Sequence, residues 1–140
     1  MAAYKSGAVN PKTNEIIYKD LGLSFIPHPV TKKLTVLKNE NALKRAVRNL
    51  ILTNYYEKVY SPYYGGNITS YLFENFSPGI KSSIEKSVQD AIEVYEPRVE
   101  FLSSNVRVNE DQNELIVEVF FRPLNQATPV ELNFTIERVR

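Results

Sequence analysis

The chain has no cysteine and no tryptophan, and only one histidine and one methionine among its 140 residues. Without cysteine there is no disulfide framework and no thiolate metal site, and one histidine cannot build a multi-histidine zinc site. That residue, His28, sits between two prolines with no partner one helical turn away, so it reads as a loop histidine. Charge of one sign is also missing. Seventeen Lys+Arg against sixteen Asp+Glu leave a formal net charge of +1, which argues against a dedicated nucleic-acid binder. No apolar run approaches the roughly 18–20 residues that cross a bilayer. The first sixteen residues lack the apolar core of a secretory signal, so the expectation is a chain made and kept in a reducing compartment. Gly65-Gly66 is not followed by the Lys-Ser/Thr of a phosphate-cradling loop. No metal or other cofactor is expected.

What is present is enough for one core. A chain of this length buries roughly 68–70% of the surface its unfolded form exposes. No repeat, low-complexity run or Ser/Gly linker divides it. Residues 1–20 are polar and read as an extended arm, leaving 21–140 as a single domain. Around Pro27-His28-Pro29 each proline biases the preceding residue towards an extended form, and Val30, Leu34 and Val36 flank a turn at Thr31-Lys32-Lys33. A small hairpin is predicted there.

Two helices follow. Leu43, Ala46, Val47, Leu50 and Ile51 make an apolar stripe at helical spacing, with Asn39 or Asn41 as the cap. Lys44, Arg45 and Arg48 take other positions and read as a solvated face. The second helix opens with Ser77-Pro78, a capping serine before a proline at the first helical position. It runs on Ile80, Ile84, Val88, Ala91, Ile92 and Tyr95, and stops at Pro97. Between the helices lie six of the nine tyrosines: Tyr55, Tyr56, Tyr60, Tyr63, Tyr64 and Tyr71, with Phe73 and Phe76. Ser61-Pro62 and Gly65-Gly66 break this stretch into loop, and residues 68–73 suit a helical turn or two. Tyrosine joins a large apolar body to a polar tip, so some of these should roof the core and others face a partner.

From Val99 the period changes to two. Val99 and Phe101 begin an extended run through Val106 and Val108, and 110–113 form a polar turn. Leu115, Val117, Val119 and Phe121 then alternate with Ile116, Glu118, Phe120 and Arg122. After a break at 123–129, Val130, Leu132, Phe134 and Ile136 alternate with Glu131, Asn133, Thr135 and Glu137. Three strands in an antiparallel meander, covered on one face by two helices, make an α+β fold.

Chemistry is sparse. Glu57, Glu74, Glu85, Glu93 and Glu96 are carboxylates that a glycosidase could use, but nothing in their spacing separates them from surface residues. One feature is physically odd. Glu93 and Glu96 fall at the C-terminal end of the second helix, where the dipole disfavours negative charge by roughly 0.3–1 kcal/mol each. Glu96-Pro97-Arg98 then holds a carboxylate and a guanidinium at a proline-fixed corner, suited to a bidentate contact. Pairing within the chain, with Pro97 only a helix stop, is the plainer reading of the residues alone.

Tyr95-Glu96-Pro97-Arg98-Val99 resembles the Glu-Pro-Arg signature of the sheath-initiator family of phage baseplate wedge proteins, which also occurs in type VI secretion baseplates and has carried a lysozyme-like label. The resemblance covers about residues 20–122. Its further blocks are Asp20 to Phe25, His28-Pro29-Val30-Thr31, Val47 to Thr53 and Leu72-Phe73-Glu74. Lys32-Lys33 departs from the Gly-Asp common in the family after the threonine, and residues 62–66 are richer in tyrosine. The resemblance implies a non-enzymatic subunit of a virion tail baseplate, present in several copies and binding a helical core bundle of other wedge subunits. It also implies a sheet that nucleates the tail sheath by strand addition. On that reading the contact residues are Glu96, Pro97 and Arg98, the tyrosines Tyr55, Tyr56, Tyr63 and Tyr64, and Glu131, Asn133 and Thr135 on the last strand. A peptidoglycan hydrolase, a type VI secretion subunit and an adaptor without a sheath role are the alternatives.

Overall fold

Phe121 is the largest fully buried side chain, and Leu43, Leu50, Ile51, Ile84, Ile92 and Leu115 are fully buried in the same core or beside it. The structure is a computed structural model that describes residues 8–9, 16–22, 25–74, 77–109 and 114–137. Strands β1 (Ala8–Val9) and β2 (Ile16–Ile17) pair with each other, and β3 (Lys19–Leu21) pairs antiparallel with β4 (Val36–Lys38). Helix α1 (Asn39–Leu52), a 3₁₀ helix (Ile68–Phe73) and α2 (Pro78–Tyr95) follow. The chain ends in β5 (Val99–Asn109), β6 (Glu114–Pro123) and β7 (Val130–Glu137), an antiparallel sheet in that order. The helices cover one face, as expected for α+β.

Alternation holds strictly in β6 and β7. Leu115, Val117, Val119 and Phe121, then Val130, Leu132, Phe134 and Ile136, point inward and are buried. In β5 it does not. The register slips between Phe101 and Ser103, so Val99 and Phe101 use odd positions inward while Val106 and Val108 use even ones. A bulge inserts one residue and reverses the parity of everything after it. The turn expected at 110–113 lies outside the described residues.

The caps differ from each other. Ser77 accepts from the Ile80 N–H at 3.4 Å with Pro78 behind it, as predicted. At α1 the N-cap is Lys38, with no side-chain cap bond. Asn39 instead has φ +47° and turns back to Tyr18, its Oδ1 accepting from the Tyr18 N–H (3.2 Å) while its own N–H donates to the Tyr18 carbonyl (2.8 Å). A long-range contact took the asparagine that local propensity offered to the helix. Tyr18 is buried in the core, and the exposed strand β3 runs through residue 20.

The hairpin at 25–36 forms around a bridge between Pro27 and Leu34, closed by His28 N–H to the Lys33 carbonyl (2.8 Å). The His28 Nδ1 accepts from the backbone N–H groups of Val30 and Thr31, a loop role.

Candidate functional site

The corner after α2 is built by three local facts. Pro97 ends the helix, Glu96 is its C-cap with its N–H on the Ile92 carbonyl (2.9 Å), and the Val99 N–H returns to the Glu96 carbonyl (3.3 Å). The side chains of Glu96 and Arg98 therefore leave the turn on the same side. Arg98 Nε donates to Oε1 at 2.5 Å and Nη2 to Oε2 at 2.7 Å. This is a fork-on-fork pair. Glu96 is only 6% exposed, the one buried charged residue among those described, and the pair holds Arg98 above its ordinary pKa. The bidentate contact expected at the corner is thus made inside the chain. Neither charge is left to reach out alone, because each satisfies the other within the corner.

Aromatic rings surround it. The Arg98 guanidinium lies 5.7 Å from the Tyr18 ring centroid, and the Tyr64 and Tyr95 rings lie 5.0 Å apart. Burial, and then the Glu96 carboxylate, push the Tyr64 phenol up. The Tyr95 hydroxyl donates to the Tyr63 carbonyl at 3.0 Å. Through Tyr63 the corner continues into the loop 54–67, where the Tyr63 ring sits 6.1 Å from Tyr55 and 6.0 Å from Tyr56. Lys58 Nζ stands 3.7 Å over the Tyr64 ring. Tyr56, Tyr60 and Tyr63 are exposed, Tyr60 at 99%.

The loop is held in shape at some cost. Tyr56 and Tyr60 have φ +68° and +65°, a left-handed conformation that costs a bulky residue about 1–3 kcal/mol. Asn54 offsets it by donating its backbone N–H and side-chain amide to Glu57 (both 2.9 Å), which lowers the Glu57 carboxyl pKa. The glycines close the loop. Gly65 has φ +116°, and a Cβ there would collide with the Thr53 carbonyl; one at Gly66 would come 2.8 Å from the Ile51 carbonyl. Only glycines let the returning strand press on the end of α1, where the Gly66 N–H meets the Leu50 carbonyl (3.2 Å). Tyr71 turns inward against α2, its hydroxyl 3.4 Å from Ser87 Oγ. Core-edge and outward roles are therefore divided among the tyrosines.

The last strand supplies a different kind of surface. The Leu124 N–H bonds the Arg98 carbonyl at 3.0 Å, which marks 98/124 as a hydrogen-bonded pair. In an antiparallel ladder such pairs recur at every second residue, so even-numbered residues of β6 face β5 and odd-numbered ones face β7. Through the register Phe121–Val130 to Leu115–Ile136, the even residues of β7 bond β6. The N–H and C=O groups of Glu131, Asn133, Thr135 and Glu137 then point out of the sheet edge. Their side chains lie on the face away from the helices, where Asn133 donates to Glu131 at 2.7 Å.

The corner and the tyrosines come together in space. Glu131, Asn133 and Thr135 lie two strands away from them. Tyr18, Tyr95 and Lys58 belong to the first group and were not foreseen there. For Tyr18 the signal was its place after Ile16-Ile17, a short apolar run in an otherwise polar arm.

Four of the five glutamates considered for acid–base work are hydrogen-bonded within the chain. Glu57 is bonded to Asn54, Glu85 to the Val106 N–H, Glu93 to Gln89 and Glu96 to Arg98. A glycosidase acid needs a raised pKa, whereas that of Glu57 is lowered. Among the described residues no three of His, Asp and Glu converge as a metal site, and no helix is long and apolar enough to cross a membrane.

A family described as baseplate wedge protein gp25 matches residues 38–137. That stretch begins after the Asp20 and His28 blocks and continues through β7. Baseplate wedge protein gp25 of Enterobacteria phage T4 is 29% identical over 90 residues, which cover 64% of this chain and 68% of that protein. Among solved structures, one described as a tail lysozyme from Geobacter sulfurreducens superposes with a TM-score of 0.66 at 24% identity, over 76% of this chain and 97% of that one. A chain of the anti-feeding prophage baseplate gives 0.59 at 15% identity, over 86% of each. These likenesses speak for the fold, and the family match spans most of the sequence: the chain belongs to the gp25 family of baseplate wedge proteins, structural components of contractile tails.

Proposed function

We propose that this wedge protein works through two separate surfaces, in the tail baseplate of a phage virion. The Glu96–Arg98 corner with its tyrosine loop docks on a helical bundle formed by other wedge subunits. The outward edge of β7 accepts an extended segment of the tail sheath and so starts sheath assembly. The observation that carries this reading is the contiguity of Tyr64, Tyr95, Tyr63 and Tyr56 beside the Glu96–Arg98 pair, which precedes β5, two strands from the β7 edge. Exposed tyrosines in a preformed loop supply contact area at low entropic cost. An unpaired regular edge strand needs a partner, or it becomes an aggregation hazard.

The corner does no chemistry in this role. With Glu96 occupied by Arg98 and Glu57 by Asn54, the protein acts as a structural part rather than a hydrolase. Clearing of purified cell walls by the wild-type protein would overturn that part of the reading.

The two surfaces are tested separately. Tyr56→Ser with Tyr60→Ser changes exposed side chains and should leave the fold intact. The protein should then lose co-purification with its cognate wedge subunits while still binding sheath protein. Thr135→Pro removes one outward N–H without touching the β6 ladder and should do the reverse. Normal wedge binding by the tyrosine variant, or normal sheath binding by the proline variant, would sink the corresponding half.

A further inference from the structure

Helix α1 lies alongside β7, and the groove between them, about 320 Å³, is lined by Asn41, Lys44, Arg45, Arg48, Asn49 and Leu132. Asn41, Lys44, Arg45 and Arg48 recur every three or four residues and so share one side of the helix. Leu132 is a core-facing residue of β7. Lys44 is paired with Glu40 at 2.7 Å. Among the described residues no carboxylate pairs with Arg45 or Arg48. By sequence pattern alone these cations read as a solvated face. Their position beside an open sheet edge gives them a second use.

A strand added to β7 lies about 4.8 Å further out, with every second side chain turned to the helix side. Those side chains enter the groove next to Leu132, beneath Arg45 and Arg48. An apolar side chain there would strip water from two guanidinium groups and return nothing. A carboxylate would pair with them, in a partly enclosed site where such pairing is stronger than at an open surface.

We infer that α1 and β7 together form a recognition groove for an extended partner segment carrying one or two carboxylates at the core-facing positions beside Leu132. This rests on the reading of β7 as the strand-accepting edge. The backbone ladder supplies most of the affinity, and the cations select among strands that could all pair with the same edge. The segment belongs to another protein chain.

The test uses two synthetic peptides of about ten residues, alternating valine and threonine. They differ only at two successive positions of one face, Glu in the first and Gln in the second. Each is titrated into the full-length ¹⁵N-labelled protein at low salt. Both peptides should shift the β7 amides, and the Glu peptide should bind about tenfold more tightly. That advantage should fall below about threefold in the Arg45→Gln, Arg48→Gln double variant, and likewise near 0.5 M salt. Glutamine keeps the helix propensity of arginine, so the double variant should fold. Equal affinity for the two peptides would overturn the carboxylate preference and leave the β7 edge standing. Binding by neither, or shifts confined to other strands, would overturn both.

Discussion

The two edges of the C-terminal sheet are treated in opposite ways. β5 is closed at three places. It starts from the Glu96–Arg98 corner, it bulges after Phe101, and its outward Val106 N–H is taken by the Glu85 carboxylate of α2 at 3.2 Å. Lys81 adds a bond to Asn105 Oδ1 at 3.2 Å and a contact with Glu85 at 3.8 Å. β7 is eight residues of unbroken register with no bulge, and its outward groups belong to consecutive odd positions. Edges are usually blunted by bulges, charges or covering elements. Among the described residues, the bulge and the helix carboxylate that takes an outward N–H are found on the β5 side only. The contrast teaches that the openness of β7 is not a general looseness of the sheet, since the same fold closes an edge where helix side chains can reach it.

The largest effect should come from removing the anchor at the start of β5. Arg98→Ala leaves Glu96 enclosed without its guanidinium, and loss of one partner of a buried pair costs about 3–5 kcal/mol. The Arg98 side chain is 26% exposed, so a value near the lower end is expected from urea unfolding. Glu96→Leu with Arg98→Met should recover most of it. If the single variant unfolds at the wild-type midpoint, the corner does not anchor β5.

Glu85→Ala should open the closed edge. The Val106 N–H loses its acceptor, a loss of about 1–2 kcal/mol, and sedimentation should reveal concentration-dependent self-association beyond that of the wild type. Thr135→Pro, on the other edge, should alter stability by less than about 1 kcal/mol. Equal behaviour of the two variants would erase the contrast. Hydrogen exchange sharpens it without mutation. The Val106 amide should exchange more slowly than the amides of Glu131, Asn133 and Thr135, and the reverse order would break it.

The smallest effect concerns the rings beside the corner. Burial and Glu96 raise the Tyr64 phenol above 10.0, so the folded state keeps that proton longer than the unfolded one. The resulting stability is complete below pH 10.0 and is lost as pH rises through the folded value. Tyr64→Phe should flatten this alkaline decline in melting temperature and remove the late-titrating phenolate from the absorbance titration.

Much of this molecule is legible from residue order alone. The stripe of α2 and its Ser77-Pro78 start are local, because capping and periodicity depend on neighbours three or four residues apart. The strict alternation in 115–121 and 130–136 reports a half-buried sheet for the same reason. Asn39 is the instructive failure. Its local preference for a cap lost to two bonds with Tyr18, twenty-one residues away. The bulge after Phe101 was visible only as a switch of apolar residues from odd to even positions.

The site divides in the same way. Glu96-Pro97-Arg98 stands out as a sequence because proline sets the corner and an acid sits at the unfavourable helix end. That the two charges satisfy each other follows from side-chain directions at that turn, which spacing does not specify. The assembly of Tyr64, Tyr95 and Tyr18 around them is likewise a product of packing between distant segments.

The absences noted first keep their meaning throughout. Lacking cysteine and carrying a single histidine, the chain by itself ruled out disulfide and thiolate chemistry, since no fold can supply a ligand the sequence does not contain. Residue order also determined which segments become helix and strand, because those patterns are local. Which sheet edge is closed, which cations stand beside the open one, and which charges are already paired depended on contacts between residues far apart in sequence. Only the tertiary structure decided them.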